Sequence, residues 1–245
     1  MKTRLDLALV DRGLAPSREK AQALIMAGEV LVDGAKAEKS GQAVDDASRL
    51  EVLQAPPFVS RGGLKLAAAL DRFRIAVAGR VCMDIGASTG GFTDCLLQRG
   101  AARVHAVDVG SGQLDWKIRS DPRVVLHEKC NARYLRPEAI GEPVSLAVCD
   151  VSFISVTLIL PAMVAILEPG GEMAILVKPQ FEVGKGQVGK GGIVRDADVH
   201  RAACDRVAEA VRRMGFATEI MDSPILGAEG NREFLLHARR APAAT

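Results

Sequence analysis

Val81-Cys82-Met83-Asp84-Ile85-Gly86-Ala87-Ser88-Thr89-Gly90-Gly91 is the stretch from which the rest of the chain can be placed. Its first residues have strand character, the small residues after them make a turn, and Phe92 to Leu97 continue as an apolar-periodic helix. That order opens a βαβ unit. Glycines at such a turn let the backbone bend sharply and approach a ligand held against the helix N-terminus. The departures from the dinucleotide fingerprint select the ligand. With Gly86 as the first glycine of G-x-G-x-x-G, Ser88 takes the second position, where a pyrophosphate needs close approach, and Gly91 fits the third. A pyrophosphate is disfavoured. Asp84 sets a carboxylate at the strand end, which repels phosphate but can hold the ammonium of an amino-acid moiety. Asp108 closes a second strand, Val104 to Asp108, at the spacing where an acid takes a ribose diol. Ammonium and ribose on one ligand point to S-adenosylmethionine, cradled by Gly86, Ala87, Ser88, Gly90 and Gly91. The competing reading is an ordinary small-residue turn, and Asp108 in register weighs against it.

The chain has 245 residues, 48% hydrophobic and 25% charged, with a formal charge of +2, which fits a soluble protein of one large or two unequal domains. With aromatics at 4%, an aromatic platform for single-stranded nucleic acid is not the favoured mode. The cysteines, Cys82, Cys95, Cys130, Cys149 and Cys204, form no C-x-x-C pair and are not grouped with histidines. They read as reduced thiols rather than zinc ligands or disulfides, so no metal is expected. The start of the chain has no apolar segment of signal-peptide type. The longest apolar run, Val156 to Leu167, is too short for a bilayer, so a cytoplasmic location without membrane association is expected.

Leu5, Ala8 and Leu9 share one face of a first helix ending at Gly13, and Ser17 caps a second that carries Ala21, Leu24 and Ile25 and closes at Gly28. A strand Val30 to Val32 turns at Asp33-Gly34, and Arg49 to Leu53 alternates as another. Residues 1–54 are therefore expected to form a small α/β domain, 55–60 a Pro-Pro linker, 61–240 the main domain and 241–245 a disordered tail. In the main domain a helix from Ser60 to Arg74 would pack through Leu64, Ala67, Ala68 and Leu70. Strands follow at 124–128, 146–150 and 173–177, with a helix from Ser155 to Leu167 that kinks or starts near Pro161 and ends at Glu168 to Gly171. A helix over 197–214 and two late strands, 217–221 and 232–236, complete the domain. Alternation of β and α predicts a mostly parallel, Rossmann-like sheet with its crevice at the strand C-terminal ends. Asp150 and Lys178 each sit one step past a predicted strand and so share that crevice, as a candidate acid-base pair or a structural salt bridge.

Two resemblances refine this reading. Arg4-Leu-Asp, Arg12-Gly-Leu, Ser17-Arg18-Glu-Lys20-Ala and Gly28-x-Val30-x-Val32-Asp-Gly34 resemble the αL-type RNA-binding domain of a small-subunit ribosomal protein. The resemblance implies that Arg4, Arg12, Arg18 and Lys20 grip RNA phosphates, a positioning role. Charge alone does not say so: residues 1–54 hold eight Lys/Arg against nine Asp/Glu. The second set is Ser60-Arg-Gly-Gly-Leu-Lys65, Asp84 to Thr93, Asp150-Val-Ser-Phe-Ile-Ser, Leu176-Val-Lys-Pro-Gln-Phe-Glu182 and Gly230-Asn-Arg-Glu-Phe234. These motifs look like the TlyA family, whose catalytic domain is similar to FtsJ-type ribose 2′-O-methyltransferases. The likeness runs from residue 4 to about 238.

It implies an S-adenosylmethionine-dependent methyltransferase acting on cytidine ribose in 23S, and in some members also 16S, ribosomal RNA within ribosomal subunits, with no obligate protein partner. The family's catalytic Lys-Asp-Lys-Glu set falls on Lys65, Asp150, Lys178 and Glu233. Lys178, held by Asp150 and Glu233, would act on the hydroxyl, and Lys65 would orient the ribose. Asn131, where many relatives carry Asp, would meet the adenine, and Asp150 would also border the cofactor.

Gly184-Lys-Gly-Gln-Val-Gly189-Lys190-Gly191 nearly spells a P-loop, but Gly191 replaces the magnesium-binding hydroxyl and no strand precedes it directly. Lys185 and Lys190 read instead as a basic loop over an RNA site. A thiolate mechanism at Cys149 lacks a Pro-Cys pair, and the Asp/Asn-Pro-Pro-aromatic stretch of amino-group methylation is missing. The alternatives are an assembly factor with a vestigial cofactor domain, and a haemolysin, the family's former label.

Overall fold

The computed structural model describes residues 2–53, 56–227 and 230–240, and the chain divides into two compact units, one up to Pro57 and one from Phe58 on. Gln54, Ala55 and the predicted tail 241–245 lie outside the described residues. The predicted linker is shorter than 55–60. Phe58 and Val59 pack on the core of the second unit, and the Val59 N–H donates to Asp94 Oδ2 at 2.9 Å.

The first unit runs β1 (Thr3–Arg4), α1 (Leu5–Asp11), α2 (Arg18–Met26), β2 (Val30–Val32), β3 (Ala35–Lys36), β4 (Ala43–Val44) and β5 (Leu50–Val52). Ser17 Oγ accepts from the Lys20 N–H and so satisfies a free donor at the start of α2. β2 lies between β3 and β5, all antiparallel, while β1 pairs with β4. β1, β3 and β4 are two-residue strands whose pairing is set by tertiary contacts, and no periodicity announces them. Leu5, Leu9, Ala21, Ile25 and Val30 form the core.

The second unit runs α3 (Gly62–Phe73), β6 (Val81–Ile85), α4 (Gly91–Gln98), β7 (Arg103–Val107), α5 (Trp116–Arg119), β8 (Val124–His127), α6 (Pro137–Ile140) and β9 (Val144–Cys149). It continues through α7 (Leu160–Ile166), β10 (Leu167–Val177), α8 (Pro179–Glu182), α9 (Ala197–Arg213), β11 (Phe216–Asp222) and β12 (Phe234–Arg240). The sheet order is β8-β7-β6-β9-β10-β12-β11, with β12 antiparallel to both neighbours and the other pairings parallel. Strand residues alternate between two cores, as the pleat requires. Cys82, Val104, Leu146 and Leu176 meet α3 and α4, whereas Met83, Ile85, Ala147 and Ile175 meet α7 and α9.

Three elements differ from the expectation. β10 begins at Leu167, so Glu168-Pro-Gly-Gly171 lies within a strand whose pairing with β9 slips between Leu167 and Glu172. β12 starts at Phe234, opposite Val177, two residues later than the alternation suggested. α3 buries Lys65, Leu66, Ala69 and Leu70, while Leu64 is exposed and Ala67 and Ala68 are half-buried. The apolar pattern misplaced that face because a lysine occupies it, neutralised by Glu233 just before β12.

Chain order turns outward in both directions from the neighbours β6 and β9, and a crevice opens at the C-terminal ends of strands where this happens. Gly86 closes the contact there. Its φ is +83°, and a Cβ would lie 2.3 Å from the Asp150 carbonyl oxygen. Gly86→Ala must therefore strain the backbone and push two strand ends apart, at about 1–3 kcal/mol for the dihedral alone. Calorimetry should show Tm lowered by about 2 °C or more. An unchanged Tm would mean that these strand ends are not held together here.

Candidate active site

The turn after β6 is built from residues whose backbones are specified one by one. Gly86 and Gly90 have positive φ, as does Ser88 at 48°, a conformation costly for a side chain outside glycine, asparagine and aspartate. Asp108 holds it. Its Oδ2 accepts from the Ser88 N–H and its Oδ1 from the Gly110 N–H, each at 2.7 Å, so one carboxylate ties the loops after β6 and β7 together. Each oxygen has lone pairs left for a further donor. At Gly91 a Cβ would fall 2.1 Å from Ser60 Oγ, so the start of α4 lies directly against the segment leading into α3.

Asp84 does not stand open as the sequence suggested. It is wholly buried, its Oδ2 accepts from Thr93 Oγ1 at 2.7 Å, and its Oδ1 has no protein partner. Burial pushes its pKa up to about 7, helped by the charges of Asp150 and Asp108 and opposed by the Thr93 hydrogen bond.

The turn forms the floor of a cavity of about 680 Å³ that Lys65, Asp150, Ser152 and Lys178 also line. Lys178 Nζ lies 2.5 Å from Asp150 Oδ1 and donates to Ser152 Oγ at 2.8 Å. Lys65 Nζ pairs with Glu233 Oε2 at 2.5 Å, with both side chains almost fully buried. The expected set is therefore two ion pairs, and Glu233 serves Lys65 rather than Lys178. Ser152 is a residue of this cavity that sequence reasoning passed over. A serine three positions past a strand has no distinctive signal until Lys178 is seen against it.

A second cavity, about 250 Å³, lies on the other side of Gly86 between Asp108 and Asn131, with Ile85, Val107, Ile154 and Ile159 in its walls. Asn131 Oδ1 accepts from the Arg133 N–H, which fixes the side chain at the head of a 3₁₀ turn. Cys149 is wholly buried with its thiol pKa raised by burial, a poor setting for a nucleophile.

Of the predicted RNA contacts, Arg4 and Arg18 bond to Asp6, while Arg12 donates to the carbonyls of Ser48 and Asp45. Lys20 and Lys190 are exposed, and the side chain of Lys185 lies outside the described residues.

The FtsJ-like methyltransferase family matches residues 58–240, and the S4 domain matches residues 3–49. Over 241 residues the chain is 51% identical to the 16S/23S rRNA (cytidine-2′-O)-methyltransferase TlyA of Mycobacterium tuberculosis, covering 97% of this chain and 90% of that protein. The chain belongs to the TlyA family. Hemolysin A of Brachyspira hyodysenteriae is another relative, 43% identical over 96% of this chain and 98% of its own. A solved structure of a candidate hemolysin from Streptococcus thermophilus superposes with a TM-score of 0.75 at 44% identity, covering 98% of this chain and 89% of that one. Among the described residues, no helix of this TlyA-family protein is long and apolar enough to cross a membrane.

Asp84 carries a pH signature. Its pKa is about 7 in the folded state and near 3.8 in the unfolded chain, so between those values the folded state binds the extra proton. Stability falls as pH rises from about 4 to 7, by an amount on the order of a few kcal/mol. Asp84→Asn should lose this component and melt above wild type at pH 8 but near it at pH 4. Thermal scans of both proteins across that range check the sign, and parallel pH profiles would overturn it.

Proposed function

We propose that this protein transfers a methyl group from S-adenosylmethionine to the 2′-hydroxyl of a cytidine ribose in ribosomal RNA, in 23S and also 16S rRNA, acting on ribosomal subunits in the cytoplasm. The observation that carries the proposal is Lys178, held by Asp150 and Ser152 in a cavity whose floor is the glycine turn. The relative from Mycobacterium tuberculosis, named for this reaction, supports the choice of hydroxyl and base.

The residues present suit the cofactor. The unpartnered Asp84 Oδ1 is a buried polar atom, Gly86 and Gly91 leave no room for a Cβ, and the mostly apolar cavity beside Asn131 fits a flat heterocycle. In this reading the backbone from Gly86 to Gly91 would hold the amino-acid end, with Asp84 beneath it, Asp108 at the ribose and Asn131 at the adenine. When bound, S-adenosylmethionine supplies an electrophilic methyl on a sulfonium.

The chain's own work is on the acceptor. A ribose hydroxyl is a very weak acid, so the enzyme must align its oxygen with the methyl and stabilise the negative charge that develops there. Lys178 Nζ is the group placed for this. Asp150 and Ser152 fix its position, so little reorganisation is needed as the charge appears. Lys65, locked to Glu233, offers its remaining N–H to the incoming ribose. Water is restricted because Lys178 and Lys65 show only about a tenth of their side-chain surface, 12% and 10%.

Lys178→Ala should lower turnover by roughly a hundredfold to ten-thousandfold and leave cofactor affinity almost unchanged, since the group acts as the transition state is reached. Asp150→Ala should cost a similar factor and the double variant little more. A methyl-transfer assay on ribosomal subunits, with the product digested to nucleosides, reads both rate and position. Near-normal turnover in Lys178→Ala, or methyl on the base, would refute the proposal.

A further inference from the structure

Asp6 is the most heavily bonded side chain of the N-terminal unit, and the functional assignment above leaves it without a role. It is wholly buried on α1, yet its carboxylate faces the solvent-exposed arginines that flank it in sequence and space. Oδ1 accepts from Arg4 Nε at 3.0 Å and from the Leu7 N–H at 3.1 Å. Oδ2 accepts from an Arg4 terminal nitrogen at 2.9 Å, from Gln22 Nε2 at 2.8 Å and from Arg18 Nε at 3.1 Å. These donors hold the carboxyl far below the usual carboxylate range, with the Arg4 hydrogen bond the largest cause.

The two guanidiniums are only half used. Arg4 and Arg18 keep 48% and 53% of their side-chain surface exposed. Arg18 spends Nε alone, leaving both terminal nitrogens without a hydrogen bond among the described residues, and Arg4 keeps one terminal nitrogen in the same condition. A free arginine loses much rotamer freedom when it binds a phosphate. These two have lost it in the fold, to a charge that water cannot screen.

We propose that Asp6 is a positioning residue for RNA: it preorganises Arg4 and Arg18 as a paired donor surface for the phosphate backbone. Arg12 is outside this surface, because both of its terminal nitrogens are spent on the Asp45 and Ser48 carbonyls and tie the end of α1 to the loop between β4 and β5. The inference rests on the RNA reading of the N-terminal unit and adds which carboxylate makes that unit effective despite its small net negative charge.

The test exploits a sign. Asp6→Asn removes a negative charge beside the RNA site, so charge alone predicts tighter binding. Loss of preorganisation predicts weaker binding. Affinity of the full chain for a short labelled RNA hairpin, by fluorescence anisotropy at fixed salt, should weaken about tenfold in Asp6→Asn, the scale of a lost charge-assisted hydrogen bond. The slope of log affinity against log salt should stay near wild type, since no cation is removed. Asp11→Asn, an exposed acid on the same helix, should bind as wild type or tighter. In an Arg4→Gln/Arg18→Gln background, Asp6→Asn should have no further effect on affinity. If Asp6→Asn does not melt cooperatively, Arg18→Lys replaces it. That change keeps the charge but not the fork, and should weaken binding several-fold at an unchanged salt slope. Equal or tighter binding by Asp6→Asn, or unchanged binding by Arg18→Lys, overturns the positioning role. No binding by wild type removes the RNA reading itself, while cofactor binding, measured separately, leaves the methyltransferase reading standing.

Discussion

The approach of Gly86 to the Asp150 carbonyl is the constraint on which the catalytic unit depends. β6 and β9 are the two strands from which the sheet order runs outward, and their ends must nearly touch for the crevice to have the glycine turn on one side and Asp150 on the other. A side chain at position 86 would separate them. Two features follow from that contact. The Asp150 carboxylate lies within reach of Lys178 at the end of β10, and the smaller cavity toward Asn131 opens beneath the same turn.

The charges of the crevice and of the N-terminal core are used in pairs whose partners lie on different elements. Lys178 with Asp150 joins β10 to β9, Lys65 with Glu233 joins α3 to the start of β12, and Asp6 with Arg4 and Arg18 joins α1 to α2. Burying a charge is expensive unless its partner comes with it, so each pair commits two elements to one geometry. Asp84 is the exception. It is buried with one oxygen unpartnered and a pKa near 7, and such a group costs stability in the absence of ligand. Sites that must bind something often carry this kind of deficit.

The methyltransferase fold and its crevice were legible in the chain because they depend on local signals. The strand-turn-helix at 81–97 and the acids one step past strand ends survive without knowledge of partners. The failures have one cause. Lys65 broke the apolar stripe of α3, Glu168 to Gly171 looked like a turn, and Glu233 was given to the wrong lysine, each because the deciding neighbour is distant in sequence.

Sequence alone determined the class of the fold, the position of the glycine turn and the identity of the charged residues, since strand periodicity, glycine demand and residue chemistry are properties of short stretches. Tertiary structure decided how those charges pair, that Ser152 supports Lys178, that Asp84 is sealed beneath the turn, and that Asp6 gathers Arg4 and Arg18 in the N-terminal unit. Pairing is a matter of distance and burial between residues as far apart as Lys65 and Glu233, and only packing brings them within 2.5 Å.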